Sequence, residues 1–215
     1  RFTQSTRGMR PLAYMESVDF VGSDVFYAHG IYFNDEELQF LSKTGTGVAH
    51  CPCSNMKLSS GVARIPDMLR LDVPVGLAVD GSASNDASNL MEEMRAAYLM
   101  HRLQYGAQAP SGYDLLKMAT RGSARLLGRK KFGQIATGCA ADLFAIRYDR
   151  MEMAGAERDE ANLFGTVGYH LPADAVWVGG KLTVKDGALT RIDEDRTAAQ
   201  SRAEIDRLLI SAAVS

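Results

Sequence analysis

The chain has 215 residues, 46% of them apolar and 23% charged, with a net charge of -2. That is enough for one large domain, or for one domain and part of another, of ordinary globular composition. The near-balanced charge excludes a general electrostatic pull toward nucleic acid or an anionic membrane, and no apolar run is long enough to span a bilayer.

Residues 5 to 19 form a helical pattern with Met9, Leu12, Met15 and Val18 on one side. Asp24 to Gly30 then reads as a short strand ending at His29. Asn34 followed by Glu37 is a capping-box start. The helix it opens carries Leu38, Phe40 and Leu41 and stops at Gly45. Gly47 to Pro52 is a second short strand, closed by the proline. A loop from Cys53 to Gly61 leads to a helix with Ile65, Met68, Leu69 and Leu71.

The third strand, Val75 to Asp80, is an apolar run ending on an acid, as expected of a buried parallel strand. A helix from about Asn89 to Tyr105 follows, with Leu90, Met91, Met94, Ala97 and Tyr98 in one stripe. This alternation predicts an α/β fold with a parallel sheet and helices outside it. The strands end in His29, His50 and Asp80. At the carboxyl ends of such strands α/β folds place their chemistry, and neighbouring ends share one face. Asp80 could equally cap the next helix, as could Ser84, Asn85 or Ser88.

Ser111 with Asp114 opens another helix, and Ser123 to Leu127 a further one that stops at Gly128. The pattern then changes to short strands: Ala141 to Ile146, a glycine-turned hairpin over Val176 to Val184, and Ala188 to Ile192. An amphipathic helix, Glu194 to Ala213, closes the chain with Ile205, Leu208, Leu209 and Ala212 on one face. Two domains are expected, residues 1–130 and 131–215. Cys51, Cys53 and Cys139 are an odd set, with two too close together for an ordinary bridge. A reducing, cytoplasmic setting fits them best. The opening Arg1-Phe2-Thr3-Gln4 has neither signal-peptide character nor an initiator Met, the pattern of a processed chain or a fragment.

Four segments resemble one family. Val48 to Gly61, with His50-Cys51-Pro52 and Ser54-Asn55, is similar to the HCP-x-SN-x-x-L-x-x-G segment of amidohydrolase-superfamily deaminases and chlorohydrolases. Val79 to Asp86 resembles their strand-eight Asp motif. Met118 to Gly128 and Gly133 to Leu143 resemble their C-terminal signature. Within the group, Thr44-Gly45-Thr46-Gly47 and Cys51-Pro52-Cys53 look most like the 8-oxoguanine deaminases, often labelled hydroxydechloroatrazine ethylaminohydrolases.

The resemblance implies a metal-dependent (β/α)8 TIM barrel with a flanking β-sandwich. This chain would supply barrel strands six to eight, the C-terminal part of the sandwich and a terminal helix. The family's H-x-H pair and H-x-x-E motif are not in this sequence, and no histidine precedes His29. The chain therefore looks like the C-terminal half of a longer enzyme.

The resemblance also implies roles. Asp80 would be a metal ligand and a proton shuttle, and His29 would stabilise the developing oxygen by hydrogen bond. The cofactor would be one divalent ion, zinc or else iron. Cys53, Asn55, Ser84 and Asn85 are substrate-binding candidates, each equally readable as ordinary loop chemistry. His50 is expected to bond the following loop, and His101 and His170 to be surface or structural. A closed thiolate zinc site at Cys51 and Cys53 is disfavoured, since the third cysteine is far away.

The implied substrate is a small aminated heterocycle such as 8-oxoguanine, isoxanthopterin or guanine, with a triazine as the alternative. Neither nucleic acid nor membrane is an expected partner. A half barrel exposes sheet edges and apolar faces, which invites pairing with the missing N-terminal half or with another copy of the chain. The competing expectation is a fragment without catalysis of its own, serving as an interaction module. A dinucleotide, P-loop or serine-hydrolase site has no matching glycine or serine motif.

Overall fold

A computed structural model of the chain describes residues 2–213. Arg1 of the opening segment lies outside the described residues. The chain forms two compact units. One is Arg1–Cys139 with Tyr148–His170, and the other is Ala140–Arg147 with Leu171–Ser215.

The first unit is built on three parallel strands, β1 (Phe26–Ala28), β2 (Gly47–His50) and β3 (Val75–Leu77), in the order β1-β2-β3. Ala28 pairs with Ala49, and Ala49 with Gly76. Every residue of the central strand β2 is buried, while the outer strand β1 alternates between exposed and half-buried. The free edge of β3 is covered rather than paired with another strand. Ser123 Oγ accepts from the Leu77 amide at 3.1 Å and donates to the Leu77 carbonyl at 2.8 Å. That satisfies two polar groups which an open edge would leave to solvent.

Helices separate the strands. The expected first helix is two, α1 (Phe2–Arg7) and α2 (Pro11–Ser17), because Pro11 has no amide to continue a helix and instead opens the second one. Helix α3 (Asp35–Thr44) has its capping box in full. Asn34 Oδ1 accepts from the Glu37 amide at 2.8 Å, and Glu37 accepts from the Asn34 amide at 2.9 Å. Gly45 ends the helix in the left-handed conformation that glycine adopts without strain.

Where a loop was expected after β2, Pro52 both ends the strand and starts a helix, α4 (Pro52–Lys57). Helix α5 (Ile65–Arg70) precedes β3, and the short α6 (Ser82–Asn85) follows it. The long α7 (Leu90–Tyr105) starts at an Asn89 cap. Helix α8 (Gly112–Lys117), again with its capping box, runs through a π-turn at Met118–Gly122 into α9 (Ser123–Leu126). The core holds Leu38, Leu41, Val48, Ile65, Met68 and Leu115, each essentially inaccessible to water.

Residues 131–139 stay with this unit, and Tyr148–His170 returns to it, so residues 131–215 do not form one segment. The return is driven by burial of Met153, Leu163, Phe164 and Tyr169. Helix α10 (Leu163–Thr166) packs on α7 and α8. There Asn162 Oδ1 accepts from the Gly112 amide at 2.8 Å.

The second unit is a four-stranded antiparallel sheet: β4 (Leu143–Ala145), β5 (Ala175–Val178), β6 (Lys181–Lys185) and β7 (Ala188–Leu189), in that order. Gly179 and Gly180, both at positive φ, turn the β5–β6 hairpin. Helix α11 (Glu194–Ala213) follows. Its apolar face is open, with Leu208 and Leu209 both more than half exposed. No helix among the described residues is long and apolar enough to cross a membrane.

Candidate active site

The carboxyl ends of the three strands bring two of the three expected groups together. His29 follows β1 directly, and its amide donates to the Ala49 carbonyl at 2.8 Å. Asp80 lies three residues beyond β3, just past Ala78, whose amide donates to the His50 carbonyl at 2.8 Å. Both backbones then turn into the left-handed region, each with φ of 68°. Such a conformation is uncommon outside glycine and is concentrated at functional positions. The turns bring the side chains across the end of β2. His29 Nε2 lies 3.7 Å from Asp80 Oδ2, and the two side chains stay 36% and 30% exposed. Both groups are therefore positioned and still reachable.

Consecutive residues of α4 hold this pair. Ser54 Oγ donates to Asp80 Oδ2 at 2.5 Å, and His29 Nδ1 lies 2.8 Å from Asn55 Oδ1. Since the Asn55 carbonyl oxygen can only accept, His29 carries its proton on Nδ1 and its lone pair on Nε2 when neutral. Asp80 Oδ1 also accepts from the Gly81 amide at 2.8 Å. The hydrogen bond from Ser54 holds the Asp80 carboxyl below its usual range, helped by Gly81, Ser84 and the nearby His29. The group is thus an anion at neutral pH.

The third strand-end histidine does not face this site. His50 turns into the core, where its Nε2 meets His101 Nε2 at 3.1 Å. Both rings are fully buried, and each leaves a buried Nδ1 without a partner among the described residues. The expected bond from His50 to the following loop is not made by its side chain, because the inward-facing His101 on α7 takes its place. His101 is structural as expected and not on the surface, while His170 is exposed.

Of the other candidates, Ser84 is half-buried and donates to the Gly81 carbonyl at 3.0 Å. Asn85 and Asn55 are buried. The Asn85 amide donates to Glu93 Oε1, and its Oδ1 accepts from the Ser88 amide at 2.9 Å. Asn55 Nδ2 is buried and has no partner among the described residues. Cys53 is half-buried, and its amide donates to Glu93 Oε2 at 3.0 Å. Cys51 and Cys53 are free thiols. Burial raises the first to about 11; burial and then the Glu93 carboxylate raise the second to about 12. Neither is a thiolate near neutrality in this setting.

Two residues that organise the site were not identified from sequence. Ser54 belongs to the Ser54-Asn55 pair already noted for its second member. Glu93 is an acid on the apolar stripe of α7, one residue before Met94, and is fully buried. A charge at a core-facing helical position was the available signal.

A zinc centre takes at least three protein ligands. Among the described residues no group of three or more His, Cys, Asp and Glu could hold a metal ion. Asp80, ionised and accessible beside His29, fits one corner of such a centre. The donors present do not fit a whole one.

Parallel strands with helices outside, and a carboxylate and an imidazole at their carboxyl ends, are the arrangement of part of an α/β barrel with polar groups on its carboxyl-end face. The chain belongs to the amidohydrolase family, which matches residues 1–183. It is 42% identical over 202 residues to the 8-oxoguanine deaminase of Pseudomonas aeruginosa, covering 94% of this chain and 44% of that protein. It is also 42% identical over 190 residues to the hydroxydechloroatrazine ethylaminohydrolase of a Pseudomonas species, covering 87% of this chain and 40% of the relative. Among solved structures, a zinc-bound adenosine deaminase from Xanthomonas campestris superposes with a TM-score of 0.92 at 27% identity, over 97% of this chain and 48% of that one. The zinc complex of the atrazine chlorohydrolase of Arthrobacter aurescens gives 0.89 at 31% identity, over 94% and 45%. The chain thus spans less than half the length of these relatives. Its fold is that of the C-terminal half of their TIM barrel, strands six to eight, with the C-terminal part of the flanking sandwich.

Proposed function

We propose that the protein carrying this chain is a hydrolytic deaminase of an aminated purine- or pterin-like heterocycle, with 8-oxoguanine the first substrate to test. The observation that carries this reading is the Asp80–His29 pair, 3.7 Å apart and accessible, brought together from the ends of β3 and β1. The similarity to an 8-oxoguanine deaminase over 94% of the chain directs the choice of substrate.

Asp80 Oδ2 takes a proton from the attacking water as its oxygen bonds to the ring carbon bearing the exocyclic amine. The same carboxyl then gives the proton to that nitrogen as the C–N bond breaks and the ring C=N bond re-forms, releasing ammonia; the remaining hydroxyl proton passes to the ring nitrogen, which leaves a carbonyl. His29 has Nδ1–H committed to Asn55 Oδ1. Its Nε2, 3.7 Å from Asp80 Oδ2, is therefore the ring nitrogen that faces the developing oxygen and would hydrogen-bond it. Asp80, with donors from outside this chain, would hold a divalent zinc or iron ion, which when bound supplies the Lewis acidity that makes water a nucleophile near neutrality. Ser84, half-buried beside Asp80, contacts the substrate. Cys53, Asn55 and Asn85 stand behind the site.

A second reading has one observation in its favour. Without a three-donor group among its described residues, the 215-residue chain taken alone would be a module that associates with the remainder of the barrel, and activity would belong to the assembly.

The test is ammonia release from 8-oxoguanine, isoxanthopterin and guanine, with chloride and alkylamine release from triazines run in parallel. Ammonia from a purine or pterin supports the proposal. Turnover of triazines alone moves the assignment to triazine hydrolysis, and no turnover by the metal-loaded protein refutes it.

A further inference from the structure

We infer that Glu93 is a positioning residue, acting through α4 to orient both Asp80 and His29. The inference rests on the deaminase reading above for its functional meaning, and on geometry alone for its structural content.

Glu93 lies in the first turns of α7, with no exposure to solvent. Its carboxylate reaches two different helices, α4 and α6. Oε2 accepts from the Cys53 amide at 3.0 Å, and Oε1 accepts from the Asn85 side chain. Cys53 is the second residue of α4, and the next two residues are Ser54 and Asn55. Ser54 bonds Asp80, and Asn55 bonds His29. Asn85 lies at the end of the turn that begins just after Asp80. One buried carboxylate therefore ties the segment after β2 to the segment after β3, each of which bears on a reacting side chain.

A buried carboxylate without partners would be costly, and the two donors from Cys53 and Asn85 offset that cost only when they are held in place. The same donors fix the start of α4. The helix has six residues, too few for its internal hydrogen bonds to hold it without tertiary support. Its Ser54 and Asn55 thus depend on the Cys53 anchor for their direction. None of the described contacts of Glu93 is to His29 or Asp80, so its influence is indirect.

Glu93→Gln tests this. An amide keeps the shape and exchanges one acceptor for a donor, which then faces the N–H of Cys53 or of Asn85. The first readout is the tautomer of neutral His29, from its ring nitrogen chemical shifts. The native chain is expected to show Nδ1–H, and Asn55→Ala is expected to shift the population toward Nε2–H. Glu93→Gln should shift it in the same direction. The second readout is kinetic: kcat should fall on the order of 10²-fold, the typical cost of an ångström-scale misplacement, with KM nearly unchanged. Glu93→Asp, which keeps the charge on a shorter arm, should recover part of both and serves as the test variant if Glu93→Gln does not fold.

A folded Glu93→Gln or Glu93→Asp with native His29 shifts would overturn the inference. So would a loss of activity in Glu93→Gln confined to KM. If the native protein releases no ammonia while the tautomer shifts as stated, the deaminase reading fails and the positioning role stands.

Discussion

Acid should destabilise the first unit through the buried histidine pair before its carboxylates are reached. His101 is held neutral, its pKa lowered by burial from the ordinary 6.5 to about 4. His50 is shifted in the same direction by burial, with His101 and then His29 adding to the effect. An unfolded histidine protonates near 6.5, while the folded ring does not until about pH 4. In that window the unfolded state binds more protons, so stability falls as pH falls. The contribution is complete above 6.5 and exhausted below about 4. For His101 the depression corresponds to about 3 kcal/mol, a large part of the roughly 5–15 kcal/mol that holds a typical domain.

The ion-paired carboxylates of Glu37, Asp67 and Asp114 have lowered pKa values, so their losses come at lower pH. They are common to both proteins in a comparison with His101→Gln, whose amide still reaches His50 and does not titrate. Urea unfolding should be followed by far-UV circular dichroism at stepped pH, because Trp177 reports on the other unit. Between pH 6.5 and 4 the native chain should lose about 3 kcal/mol more than His101→Gln. Parallel loss in the two proteins would refute the reasoning.

Three further outcomes are expected. In Gly122→Ala the new Cβ would sit 2.2 Å from the Val75 carbonyl oxygen, with only backbone available to move; α9 should be displaced from β3, at a cost of about 1–3 kcal/mol or more in urea unfolding. Asn34→Ala removes half of the α3 capping box, and the midpoint should shift by about 1 kcal/mol of stability, with activity unchanged. Cys51 and Cys53, with thiols raised to about 11 and 12, should resist iodoacetamide at mildly alkaline pH until urea is added, as followed by mass spectrometry.

Much of the fold was legible because local signals agreed. The Asn34–Glu37 and Ser111–Asp114 boxes, Gly45 and the Gly179-Gly180 turn each specify a backbone conformation through their own chemistry. The strand ends that carry His29 and Asp80 followed from apolar runs stopping on a polar residue. What could not be read was contact across the chain. His50 sits at a strand end like the other two, and only the inward aim of His101, 51 residues later, decides that it joins the core. Pro52 was read as a stop, yet the same fixed φ also starts a helix, and that helix carries Ser54 and Asn55. Tyr148–His170 lacks a clear period, so its return to the first unit follows from tertiary burial alone.

The most direct test of the central claim is ammonia release from 8-oxoguanine by the native protein and by Asp80→Asn. The amide keeps an acceptor for Ser54 and so preserves α4, which circular dichroism and the His29 ring shifts would verify. The account predicts release by the native protein and a fall in kcat on the order of 10²- to 10⁴-fold in the folded variant. Equal rates in the two proteins would contradict it.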